Sequence, residues 1–324
     1  MDRILKIGTR GSPLALKQVE MVKEALKATH PALETEVVII QTSGDWKPSD
    51  GEVLLSEDAG GKAQFAKEIE EALLDGRIDC AVHSMKDMDS HLPEGLVIEH
   101  MLEREDPRDA LLFADREACK RALSQGKKGV FAIPQDARIG TASVRRAAFL
   151  RSRRPDVEAE PFRGNVQTRI DKLRGGQVDV TMLAMAGLKR LGLEDEADLV
   201  LEVGQMLPAA AQGAVGVEVR ASDGSVLSIF SHISHLKTVL CVKAERAVLK
   251  ALNGSCRSPI GCYAVFEDED KGGQMRIQAR VCSVDGAQVF ESDIYGDVSS
   301  VEQAQALGDE LGLRLKARIP DGVL

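Results

Sequence analysis

The chain has 324 residues, a formal net charge of −9 and only 3% aromatic residues. That acidity argues against nucleic-acid binding through a basic surface, and the scarcity of aromatic side chains argues against a base-stacking platform. The length allows two or three domains, and no apolar run approaches the ~20 residues that span a bilayer.

Ile4-Leu5-Lys6-Ile7 is too short for a signal peptide and runs into glycine and arginine. The six cysteines are scattered without a Cys-x-x-Cys pair, which disfavours a structural zinc site and a disulfide scaffold. These features predict a cytoplasmic protein with reduced thiols.

In chain order, Ile7-Gly8-Thr9 closes a short apolar strand and Arg10-Gly11-Ser12 opens a helix over 13–28. A strand follows over 36–40. Residues 42–61, rich in Gly, Ser and Asp without periodicity, read as a loop or lid. A helix over 63–74 leads to a strand over 80–82 and the segment His83-Ser84-Met85-Lys86-Asp87, and a return strand is expected over 96–100.

The pattern then repeats. Ile139-Gly140-Thr141-Ala142-Ser143 resembles the opening strand–helix junction at an offset of 132 residues. Gly176-Gln177-Val178-Asp179 repeats Gly76-Arg77-Ile78-Asp79 at an offset of 100. A second return strand is expected over 198–203, and a further strand over 213–220 leads back to the first lobe.

The expected fold is α/β: two lobes of like topology with mostly parallel sheets, a hinge where the chain crosses twice, and a cleft at the strand ends. From about Leu236 a helix over 238–252, a cysteine loop, strands with turns at 268–273 and Asp285-Gly286, and a helix over 301–318 predict a small α+β domain. The domain boundaries are expected at 1–102 with 214–231, at 103–213, and at 232–324.

Arg10, the Arg145-Arg146 pair, and Arg163 with Arg169 all stand at strand–turn–helix junctions. Free backbone N–H groups and the positive helix end favour anions there, and the guanidinium fork pairs with carboxylates. Arg151, Arg153 and Arg154 lack that setting and read as surface charge. Lys62, after Gly60-Gly61, is placed to close over an anion, although no phosphate-loop or dinucleotide motif is present.

Cys256 stands in Asn253-Gly254-Ser255-Cys256-Arg257-Ser258-Pro259-Ile260-Gly261, whose turn residues present a thiol. Asp87 offers a carboxylate between Lys86 and nearby Asp89, while His83 reads as a satisfied histidine at a strand end. Three classes stay open on these residues: covalent chemistry on a polycarboxylate, an anion-binding protein without chemistry, and a cysteine hydrolase. The last has no histidine placed by sequence to activate the thiol.

Several separated stretches resemble the porphobilinogen deaminase (hydroxymethylbilane synthase) family. They include Thr9-Arg10-Gly11-Ser12-Pro13-Leu14-Ala15-Leu16, Val82-His83-Ser84-Met85-Lys86-Asp87, Arg104-Glu105-Asp106-Pro107-Arg108-Asp109-Ala110 and Arg163-Gly164-Asn165. Ala186-Gly187-Leu188-Lys189-Arg190-Leu191-Gly192, Gln212-Gly213-Ala214 and the cysteine loop continue the match in the same order.

The resemblance implies two lobes like those of periplasmic binding proteins with a small C-terminal domain, acting in tetrapyrrole and heme biosynthesis. It implies a monomeric transferase for porphobilinogen, with no nucleic-acid or membrane partner, and a dipyrromethane cofactor covalently held by Cys256. By the same resemblance Asp87 is catalytic. Lys62, Lys86, Thr141, Ser143, Arg145, Arg146 and Arg169 face the cofactor, while Arg10, Ser12, Gln18, Arg163 and Arg190 face the substrate. The chain departs from the family pattern at Asp89, where proline is common, and at Asp58, where lysine is common.

Overall fold

The computed structural model describes residues 4–42, 66–255, 257–267 and 273–323. Its frame is a pair of five-stranded sheets with matching strand order. The first contains β1 (Leu5–Thr9), β2 (Thr35–Ile39), β3 (Cys80–Ser84), β4 (Leu96–Met101) and a late-arriving strand, β10 (Val215–Arg220), in the order β2-β1-β3-β10-β4. The second contains β5 (Asp109–Phe113), β6 (Arg138–Gly140), β7 (Glu158–Glu160), β8 (Val180–Ala184) and β9 (Leu199–Val200), in the order β7-β6-β8-β5-β9.

Helices α1 (Pro13–Thr29), α2 (Lys67–Leu74) and α7 (Gly224–Ser231) belong to the first lobe, and α3 (Arg116–Ser124), α4 (Val144–Arg151), α5 (Val166–Arg174) and α6 (Met185–Arg190) to the second. A third sheet, antiparallel β11 (Ile260–Phe266), β12 (Met275–Cys282) and β13 (Val289–Gly296), packs on α8 (Leu236–Ala251) and α9 (Val301–Lys316). Of the loop or lid expected over 42–61 and the turn expected over 268–273, residues 43–61 and 268–272 lie outside the described residues.

The internal repeat is structural. Ile7 pairs with Cys80 and Gly8 with Ala81, while Ile139 pairs with Val180 and Gly140 with Thr181. The offsets read from the sequence therefore fall on one register. The same capping bond recurs: Lys6 N–H donates to Asp79 Oδ2 at 2.9 Å, and Arg138 N–H donates to Asp179 Oδ2 at 2.8 Å. The central strands are buried on both faces, which is why they read as short unbroken apolar runs.

The sheets are mixed rather than mostly parallel. β1 runs parallel to β2 and β3, and β6 to β7 and β8, but β10 lies antiparallel to β3 and β4, and β5 antiparallel to β8 and β9. The cause is the connectivity. β10 and β5 each arrive from the opposite lobe and enter at the carboxyl ends of the parallel strands, with Val215 opposite Ser84 and Asp109 opposite Ala184. The return of the 213–220 strand to the first lobe is observed, whereas β5 is an additional strand that periodicity did not single out.

The two crossings run side by side. Leu102 N–H donates to Val215 O at 3.0 Å and Glu105 N–H to Gly213 O at 3.1 Å. Gly213 has φ +91°, and a Cβ there would press into the Glu105 carbonyl oxygen, so the close approach requires glycine. Beside it lies a buried ion pair, with Arg104 Nη1 2.5 Å from Glu245 Oε1 on α8. Glu245 also accepts the N–H groups of Ala211 (2.5 Å) and Ala264 (2.7 Å).

Arg104→Met leaves the Glu245 carboxylate buried without its cation, a loss of roughly 3–5 kcal/mol for a broken buried pair. Urea unfolding followed by far-UV circular dichroism is expected to show that decrease. A variant within about 0.5 kcal/mol of the parent contradicts the assignment of this pair as the joint of the fold.

Candidate active site

The strand β3 ends in a single 3-10 turn, Met85–Asp87. Met85 and Met88 are buried three residues apart, so they fall on one side of the turn, while Lys86 and Asp87 are half-buried on the other. The strand end is anchored just before the turn. His83 Nε2 meets Glu218 Oε2 at 2.9 Å, and Ser84 Oγ accepts from Gln18 Nε2 at 2.7 Å while donating to Gln18 Oε1 at 3.1 Å.

His83 is thus a paired histidine, and no cluster able to hold a metal occurs among the described residues. Gln18 projects from α1, whose N-cap is Ser12 with Pro13 in the first turn. Arg10 is half-buried on the junction between β1 and that helix.

In the second lobe, Thr141 Oγ1 accepts the Ser143 N–H at 3.1 Å and Ser143 caps α4 by accepting the Arg146 N–H at 3.4 Å. The guanidinium groups of Arg145 and Arg146 are both buried and close on one carboxylate. Arg145 Nη2 lies 2.8 Å from Asp109 Oδ2, and Arg146 Nη2 lies 2.7 Å from Asp109 Oδ1. Gln212, on the returning crossing, donates to the same Oδ1 at 2.8 Å. Burial pushes the Asp109 carboxyl up, but Arg145 and Arg146 prevail and hold it well below the usual range.

Burial lowers the Lys86 ammonium from its ordinary value; Asp87 opposes that shift, and Arg146 and Arg169 of the second lobe add to it. Lys86, Asp87, Arg146, Asp109 and Arg169 therefore share one electrostatic environment. Arg163 is buried at the entry to α5 beside Gly164, whose φ is +119°. Arg190, on α6, is buried with Nη2 2.7 Å from the Gly213 carbonyl oxygen, and burial lowers its guanidinium to about 10 against the pull of Glu105.

Cys256 and Lys62 lie outside the described residues, as does Asp58. The loop flanking Cys256 is closed by Ser255 N–H to Ser258 Oγ (3.2 Å) and Arg257 N–H to Ser255 Oγ (3.2 Å). The other five thiols are buried, and burial pushes Cys241 to about 12 and Cys282 to about 11, far from a reactive thiolate. Arg154 is a correction to the sequence reading. It is buried, donating to the carbonyls of Val130, Ile133 and Pro134 and pairing with Asp156, so it braces a loop rather than decorating the surface.

Asp109 and Gln212 are the site residues that residue-type reasoning missed. Both lie in stretches quoted for the family resemblance, but an acid opening a strand carries no local mark of its two arginine partners. Those arginines still have unused capacity: the buried Nε atoms of Arg145, Arg146 and Arg190 meet no hydrogen-bond acceptor. A ligand rich in carboxylates is the chemistry such donors fit.

Behind the Asp87 turn, burial and then Glu218 raise the Glu70 carboxyl to about 7 from its ordinary 4.5. The folded protein therefore binds more protons than the unfolded chain between about pH 4.5 and 7, and stability falls as pH rises through that window. Glu70→Gln is expected to flatten this dependence and to raise the melting temperature relative to the parent most at pH 8. A difference between variant and parent that stays constant from pH 4 to 8 contradicts it.

Residues 5–228 match the family model "Porphobilinogen deaminase, dipyromethane cofactor binding domain", and residues 239–317 match "Porphobilinogen deaminase, C-terminal domain". The chain is 41% identical to the porphobilinogen deaminase of Syntrophobacter fumaroxidans over 97% of its own length and 94% of the relative's. It is 41% identical to the chloroplastic porphobilinogen deaminase of Oryza sativa subsp. japonica over 98% of this chain and 85% of that protein. With the enzyme of Rickettsia akari the identity is 46% over 83% and 85% of the two chains. Among solved structures, a probable amino-acid ABC transporter extracellular-binding protein from Bacillus subtilis aligns with a TM-score of 0.43 and 10% identity, over 71% of this chain and 89% of that one.

Proposed function

The chain belongs to the porphobilinogen deaminase family of transferases, and from that premise we propose that it joins four porphobilinogen molecules head to tail. Each addition releases one ammonia, and hydrolysis then frees the linear tetrapyrrole hydroxymethylbilane. The observation that carries this reading is the buried cluster in which Arg145 and Arg146 close on Asp109 with their Nε–H groups still unpaired, within the electrostatic environment of Lys86 and Asp87. A carboxylate suited to proton and cation chemistry stands against donors suited to a polycarboxylate.

The family's dipyrromethane, when bound, supplies the fixed pyrrole end to which the first unit is joined. We assign its thioether to Cys256, and its carboxylates to Lys62, Lys86, Thr141, Ser143, Arg145, Arg146 and Arg169. The five described thiols are buried, and the turn residues Gly254, Pro259 and Gly261 in the sequence around Cys256 support the choice of that thiol. Arg145 and Arg146 already share Asp109, so their contribution to ligand binding comes from the buried Nε–H groups and the positive charge that one carboxylate leaves over. Arg10, Ser12, Gln18, Arg163 and Arg190 are assigned to the substrate side, where Ser12 caps α1 and Gln18 fixes that helix against Ser84.

Asp87 holds the reacting charge. Its Oδ atoms assist cleavage of the C–N bond, so that the substrate's amino group leaves as ammonia while its methylene carbon stays on the ring, and they stabilise the cationic methylene-pyrrole that results. They then take up the proton released when the new carbon–carbon bond forms. Lys86, lowered by burial, keeps an adjacent donor for carboxylates beside that acid. The lobes are assigned to 1–102 with 214–231 and to 103–213, and the cysteine-bearing domain to 232–324, in a cytoplasmic monomer. Among the described residues no single helix is long and apolar enough to cross a membrane.

Two measurements test the reading. Intact mass and peptide mapping are expected to show the purified protein heavier by one dipyrrole unit on Cys256, and Cys256→Ser to lack it. An unmodified Cys256 in active protein rejects the thioether assignment, and an unmodified Cys256 in protein without turnover returns the chain to the class of simple anion-binding proteins. Asp87→Asn keeps the shape and removes the charge, and its turnover is expected to drop by at least ~10²-fold with folding intact. Near-normal turnover rejects the role of Asp87.

A further inference from the structure

We propose that Arg246 is a positioning residue for Asp87, holding the catalytic turn from the C-terminal domain. This rests on the catalytic reading of Asp87. Arg246 lies on α8, and its Nη1 donates to the Met88 carbonyl oxygen at 3.1 Å while Nη2 donates to that of Asp89. These are the first and second residues after Asp87, so one planar guanidinium spans two successive carbonyls of the segment that leaves the turn.

The arrangement differs from an ordinary interdomain ion pair. Both of these bonds go to backbone oxygens, while Asp89 and Glu218 act on the guanidinium only through their fields, opposing the lowering that burial brings. Apolar adhesion between α8 and the turn is supplied separately, by Val239 and Val242 against Met85 and Met88. Apolar packing is non-directional. Two hydrogen bonds to adjacent carbonyls are directional and fix the orientation of the peptide that follows Asp87.

The turn is therefore held from both sides: by His83–Glu218 and Ser84–Gln18 before it, within the first lobe, and by Arg246 after it. The helix carrying Arg246 ends at Ala251, five residues short of the cofactor cysteine. One rigid element thus connects the attachment loop to the catalytic acid. A cavity of about 390 Å³ beside the contact, lined by Met85, Ile98, Met101 and Arg246, leaves room for a substituted side chain without a clash.

The test uses the holoenzyme and the variants Arg246→Met, Arg246→Lys and Asp87→Asn with the corresponding Arg246→Met/Asp87→Asn double. Met keeps the apolar stem and removes both donors, while Lys keeps the charge but cannot span two carbonyls. For Arg246→Met, kcat is expected to fall roughly ten- to a hundredfold, as for a misplacement of about 1 Å, with KM within about twofold and dipyrrole content by intact mass unchanged. Arg246→Lys is expected to fall between parent and Met.

In the double variant the Met substitution is expected to add little to the loss already caused by Asp87→Asn, because it acts through that carboxylate. An unchanged kcat in Arg246→Met overturns the proposal, and so does a loss that follows cofactor content, or one that is fully additive with Asp87→Asn. Full turnover in Asp87→Asn removes the catalytic reading and this inference together. A slowed Asp87→Asn beside an unimpaired Arg246→Met removes only the inference.

Discussion

The carboxylate of Glu245 is the joint on which the arrangement of all three sheets depends. It is fully buried, and a buried carboxylate is tolerated only when its oxygens are hydrogen-bonded and its charge is met. Its partners come from three parts of the chain: Arg104 on the outgoing crossing, Ala211 on the returning one, and Ala264 on β11. A single side chain thus specifies where the two hinge segments lie relative to the cysteine-bearing domain. Arg104 also donates to the Gln212 carbonyl at 2.8 Å, and Gln212 in turn reaches Asp109 at the cleft. The joint and the Asp109 cluster are therefore connected through one residue.

Much of the fold was legible because it is local. Short apolar runs marked β1, β2, β3 and β6, and the repeat of Gly-x-Ile/Val-Asp marked two capping bonds that recur in identical register. Strand direction was not legible. The alternation of strands and helices argues for parallel sheets, yet β5 and β10 are supplied from across the hinge and enter head-on. Nothing in Asp109–Phe113 itself states which lobe it comes from or which neighbours it finds. The expected return strand over 198–203 shortens to the pair Leu199–Val200, which lies opposite Leu111 and Ala110 of β5.

The site divides in the same way. Arg145, Arg146, Arg163 and Asp87 stand at strand ends, where chemistry and local geometry are written in adjacent letters. Asp109 and Gln212 are part of the site only because distant segments converge, and Arg154 looked like surface charge until loop carbonyls from 130–134 closed around it. At Asp109 two guanidinium groups share one carboxylate. What distinguishes the place is the positive charge and the unpaired donors left over, which depend on the converged fold.

The exchange of strands across the hinge also orders events in time. All five strands of the second sheet lie between Asp109 and Val200, an unbroken stretch of chain. The first sheet begins at Leu5 but lacks its fourth strand until Arg220 has been made. During synthesis from the amino terminus, the lobe that starts first is finished second. Its hydrophobic strands must wait while a whole neighbouring sheet is completed, β3 unpaired along one edge and β4 without a strand partner. The amino-terminal lobe is thus the part of the nascent chain with the longest exposure before closure.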